Sequence, residues 1–74
     1  MQNKRINESD EVIFKDGKMY LRTIDLNSGE INAYRAVRDG NWVCFGRRQY
    51  QIDVFSVILG VDIMQFLEDD AKKD

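Results

Sequence analysis

Short apolar runs rich in β-branched and aromatic residues fill the first two-thirds of the chain, and then the apolar period lengthens. Val12-Ile13-Phe14 and Met19-Tyr20-Leu21 flank Asp16-Gly17, while Tyr34-Arg35-Ala36-Val37 and Trp42-Val43-Cys44-Phe45 flank Asp39-Gly40. An Asp-Gly pair between such runs predicts a tight hairpin, because both central residues of a type I′ turn need positive φ. Asn27-Ser28-Gly29-Glu30 marks a further turn between the two hairpins. The expected product is a four-stranded antiparallel meander over about residues 11–46.

Beyond the meander, Ile52, Phe55, Ile58 and Leu59 recur at three- and four-residue steps, and Ile63, Phe66 and Leu67 repeat the pattern. That is the period of one helix face. Gly60 divides the two sets and suits a left-handed cap that ends a first short helix. Asp62 suits the N-cap of a second. One continuous helix that tolerates the glycine, at about 1 kcal/mol relative to alanine, is the alternative. The frequent β-branched residues also leave a strand over 52–59 as a minor reading. The fold class is therefore α+β: an antiparallel meander with one or two C-terminal helices packed on one face. The chain reads as a single domain, 1–74, with flexible ends at 1–10 and 70–74, where no apolar period is present.

Placing Asp39-Gly40 at the centre of the second turn pairs Val37 with Trp42, Ala36 with Val43, Arg35 with Cys44 and Tyr34 with Phe45. Opposed residues share a face. Tyr34, Ala36, Val43 and Phe45 are then expected under the helix, and Arg35, Val37, Trp42 and Cys44 on the outside. Trp42 beside Arg35 is a candidate contact point, since both types are enriched among interface anchors; Trp42 covering the edge of the core is the competing reading.

Composition removes several kinds of chemistry. The chain has no histidine, so it has no histidine base, triad or usual metal-ligand set. Cys44 is the only cysteine, which excludes an internal disulfide and a closed zinc site. No glycine-rich phosphate loop is present. No cofactor, metal or catalytic residue is expected, and the chain reads as a non-enzyme. The apolar stretch from Val54 to Leu67 is interrupted by Ser56, Gly60, Asp62 and Gln65, too short and too polar to span a bilayer. A lone thiol without a targeting signal suggests a cytoplasmic setting.

Net charge is −2, and its distribution is uneven. Residues 31–50 carry Arg35, Arg38, Arg47 and Arg48 against Asp39, whereas residues 51–74 carry six acids against Lys72 and Lys73. The segment Gly46-Arg47-Arg48-Gln49-Tyr50 combines forked donors with an aromatic ring, a pairing that can hold phosphate and stack on a base. A helix-turn-helix around Gly60 is disfavoured, because its second helix would bring acids to a DNA groove.

The function expected from these features is that of a small non-catalytic protein-binding regulator or inhibitor acting through a hairpin surface. Arg35, Trp42, Arg47, Arg48 and Tyr50 are its candidate partner-binding residues. Val57, Val61 and Met64 lie off the Ile52–Phe55–Leu59 stripe and form a candidate dimer or partner surface. The protein partner has no identity at this level, and a homodimer is a second use of the same surface. The alternative is a nucleic-acid-binding protein using the arginine and aromatic residues of the hairpin. Small size also suits an accessory protein of a mobile element.

Overall fold

A computed structural model describes residues 3–69 of the chain. The first hairpin forms where the turn chemistry placed it. Strand β2 (Asp10–Lys15) pairs antiparallel with β3 (Lys18–Ile24), with Lys15 opposite Lys18. Asp16 and Gly17 between them both take positive φ, 54° and 74°. The short β1 (Lys4–Arg5) adds to the outer edge of β2. After the turn at residues 25–30, β4 (Ile31–Arg35) adds to β3. This gives one antiparallel sheet in the order β1-β2-β3-β4.

The chain then changes sheet at one residue. Ala36 is fully buried; its N–H donates to Met19 of the first sheet, and its carbonyl accepts from Glu68 N–H. Beyond it, β5 (Val37–Asp39), β6 (Trp42–Phe45) and β7 (Arg48–Gln51) form a second antiparallel set, and β8 (Glu68–Asp69) joins β5 in parallel. The α+β class and the antiparallel meander followed by a helix stand as the pattern predicts. The strands extend beyond 11–46 on both sides and are shared between two sheets. Within 1–10, Lys4 and Arg5 pair with Val12 and Glu11, and Asp10 is buried. Residues 70–74 lie outside the described residues.

The register of the second hairpin differs from the expected one. Asp39 faces Trp42, Arg38 faces Val43 and Val37 faces Cys44, so the two-residue loop is Gly40-Asn41. Gly40 takes φ 62° while Asn41 stays out of the positive region, as in a type II′ turn with glycine first. Moving the loop by one residue moves each cross-strand partner by two. Side-chain faces repeat every two residues, so the faces survive and only the neighbours change. Val43 and Phe45 are buried, and Trp42 and Cys44 face away from the core. Arg35 does not oppose Cys44; it lies in the first sheet opposite Tyr20. Tyr34, expected under the helix, stays more than a third exposed, because it belongs to β4 at the sheet's edge.

Between β7 and β8 the chain forms one α-helix and one 3₁₀ turn. Helix α1 (Ile52–Leu59) ends at Gly60, whose φ of 73° makes the left-handed cap and whose N–H donates to Ser56 and Val57 carbonyls. The 3₁₀ turn Ile63–Phe66 starts at Asp62, whose side chain accepts from Met64 N–H. Ile52, Phe55 and Leu59 on α1 and Ile63 and Phe66 on the turn close the core over Val12, Met19, Leu21, Val43 and Phe45. Ile58, expected on the same stripe, points outward. At 100° per residue it sits well off the line through Ile52, Phe55 and Leu59.

Candidate functional site

Two regions include the residues singled out from the sequence, apart from Arg35. The first is the outward side of α1. Val54, Val57 and Ile58 are 52%, 80% and 60% exposed on one short helix. At 100° per residue they cluster opposite the buried stripe. The chain continues this apolar side into Val61, half-buried against the core, and Met64, which is exposed. An open groove of about 670 Å³ lies beside Val57 on the Asp53–Ser56 flank of the helix, lined also by Val61, Asp62 and Met64; Val54 and Ile58 lie outside its lining. Among the described residues, no basic side chain lines it. The predicted Val57, Val61 and Met64 are thus brought together; Val54 and Ile58 were missed. Their spacing with Val61, at steps of four and three, was the available signal, obscured because Ile58 also fits a three-residue step from Phe55.

The second region is the β5–β6–β7 surface, where the β6–β7 hairpin carries Trp42, Arg47, Arg48 and Tyr50 of the predicted set. Trp42 is 45% exposed on the face of the second sheet turned from the core. Arg47 is exposed in the turn after β6. Tyr50 is half-buried: its ring stacks on Phe55 at 4.7 Å between centroids and meets Phe45 edge-on at 6.0 Å. Arg35 lies in the other sheet.

Arg48 is engaged within the fold. Its Nη1 donates to Asp10 Oδ2 at 2.8 Å, joining the end of the second sheet to the start of the first. Asn7 Nδ2 and Ser9 Oγ donate to the same carboxylate at 3.1 Å each. Burial pushes the Asp10 carboxyl up, but the hydrogen bonds from Arg48, Asn7 and Ser9 outweigh it and hold it below its ordinary value. The hydrogen bond to Asp10 keeps the Arg48 guanidinium more firmly protonated than usual. A cleft of about 280 Å³ lies beside this pair, lined by Thr23, Tyr34, Phe45 and the Gly46-Arg47-Arg48 turn. Sequence reading missed Asp10, because its partner is 38 positions away.

Among the described residues, no group of three or more histidine, cysteine, aspartate or glutamate side chains is placed to hold a metal. No helix among them is long and apolar enough to cross a membrane. No protein-family model matches the chain, and neither a curated protein nor a solved structure matches it.

Proposed function

We propose that the protein is a small non-catalytic binding module, a regulator or inhibitor of another protein, and that it docks through the outward side of α1. The observation that carries this reading is the exposure of Val54, Val57 and Ile58 on a helix whose other side already supplies the core. Covering a large aliphatic side chain completely is worth about 1.5–3 kcal/mol. A folded domain gains nothing from holding several in water, and contiguous exposed apolar surface usually marks an interface.

Charge supports one kind of occupant. Among the described residues, the groove beside Val57 is lined by Asp53 and Asp62 and by no cation. A partner helix with an apolar stripe flanked by lysine or arginine complements it. A second copy of the chain in a two-fold pairing would set the same carboxylates against each other, so the monomer is favoured over the homodimer. Trp42, on the outer face of the second sheet, is a separate exposed anchor. The reading belongs to a cytoplasmic setting, where the lone Cys44 thiol stays reduced.

The test compares two substitutions in partner capture from the source cells. Val57→Glu places a charge on the outward apolar side of α1, and Trp42→Ala removes the exposed ring on the second sheet. Both should keep the far-UV spectrum of the fold. The expected result is a partner with a basic apolar helix, retained by the wild type and lost with Val57→Glu. Capture that survives Val57→Glu but is lost with Trp42→Ala moves the interface to the hairpin surface. A wild-type dimer that Val57→Glu dissociates identifies the occupant as a second copy.

A further inference from the structure

The outer face of the first sheet gathers cations that are scattered in the sequence. Pairing fixes which residues share this face. Across the four strands, Arg5, Glu11, Arg22 and Ala33 form one row. Ile13, Tyr20 and Arg35 form the next, and Lys15 and Lys18 close the hairpin end. Val12, Met19 and Leu21 alternate with these positions and are fully buried, so the rows face away from the core. The face holds five cations against one carboxylate, a net +4 on a chain whose total is −2. Glu11 is committed to Arg22, at 3.0 Å. Glu8, Asp16, Asp25 and Glu30 lie outside the rows, in the turns around the sheet.

Two of the guanidinium groups are incompletely used. The Nε atoms of Arg22 and Arg35 are buried and have no hydrogen-bond partner within the described residues. Arg35 is two positions along β4 from Ala33, which faces Arg22, so the two arginines are diagonal neighbours. At that spacing their backbones are about 7–8 Å apart. Tyr20 sits between Ile13 and Arg35 in the middle of the face.

We infer that this face binds single-stranded nucleic acid: phosphates on Lys15, Lys18, Arg22 and Arg35, and an unpaired base against Tyr20. A cationic surface that tracks the backbone, with an aromatic ring as a stacking platform, is the usual arrangement for single strands. A duplex fits poorly. Four strands at about 4.8 Å spacing span about 14 Å before side chains are counted, wider than the roughly 12 Å major groove. The site makes no use of α1, so it stands or falls separately from the docking surface proposed above.

The experiment is fluorescence anisotropy with labelled poly-uridine, poly-thymidine and a duplex of equal length, over a range of salt, beside flotation with vesicles containing phosphatidylserine. Wild type should bind the single strands more tightly than the duplex and weaken steeply with salt. Lys15→Gln with Lys18→Gln should flatten the plot of log affinity against log salt by about 1.4, from about 0.7 per phosphate contact. Tyr20→Leu should weaken single-strand binding at least several-fold and leave that slope in place. Arg47→Gln, on the other sheet, should change neither. Circular dichroism confirms that each variant is folded. No binding at low salt, binding that Arg47→Gln abolishes and the lysine pair does not, or binding to vesicles alone would overturn the inference.

Discussion

The two sides of α1 are built from the same kinds of side chain and occupy opposite surroundings. Ile52, Phe55 and Leu59 are buried beneath the sheets, whereas Val54, Val57 and Ile58 stand in solvent. Between them the helix carries only Asp53 and Ser56 as polar residues. An ordinary amphipathic helix places polar residues opposite its core stripe. A helix apolar on both sides is expected to be covered on both. Here the fold covers one side, which assigns stability to that side; in the proposed function the other side is the one that binds.

The largest effect should come from the inner side. Phe55→Ala removes a ring that stacks on Tyr50 and packs against Phe45, and should cost about 3–5 kcal/mol in urea unfolding. Val57→Ser, on the outer side, should stay within about 0.5 kcal/mol of wild type. Similar losses for the two would end the contrast between the sides.

The joint between the sheets comes next. Asp10→Ala should cost about 2 kcal/mol at neutral pH, because it removes charge-assisted hydrogen bonds to a buried carboxylate. The Arg48 side chain is 45% exposed, which keeps the loss modest. The Asp10 carboxyl is held below its ordinary value of 3.8 in the folded chain, so between the two values the unfolded chain binds more protons. The stability it contributes is complete above the ordinary carboxylate range and is lost as pH falls through the lowered value. Acid unfolding followed by circular dichroism should show this component in wild type and not in Asp10→Ala.

The cap of α1 sharpens the comparison at smaller scale. Gly60→Ala meets open space at its Cβ, so its cost comes only from the left-handed backbone at φ 73°. About 1 kcal/mol is expected. A neutral result in thermal unfolding would mean that the helix end rearranges freely.

Local signals were readable where one short segment decides the outcome. Asp16-Gly17, Gly60 and Asp62 each act within a few residues, and each does what its chemistry predicts. Asp39-Gly40-Asn41 contains two competing two-residue turns, Asp-Gly and Gly-Asn, and the chain uses the second. Faces could still be read through this ambiguity because they repeat every two residues; neighbours could not. The break at Ala36 and the Asp10–Arg48 pair join segments far apart in sequence, and no local pattern encodes them. Charge shows the same limit. Segment counts put the basic character in residues 31–50, yet the cationic outer face of the first sheet takes four of its five cations from residues 5–22.

The most direct test of the docking surface is a titration of ¹⁵N-labelled protein with a designed helical peptide bearing a leucine stripe flanked by lysines, followed by amide chemical shifts. The shifts should concentrate over residues 53–64, and a glutamate-flanked version of the same peptide should leave them unmoved. Shifts confined to the sheets, or an equal response to both peptides, would contradict the assignment of the outer side of α1 as an interface for a basic partner.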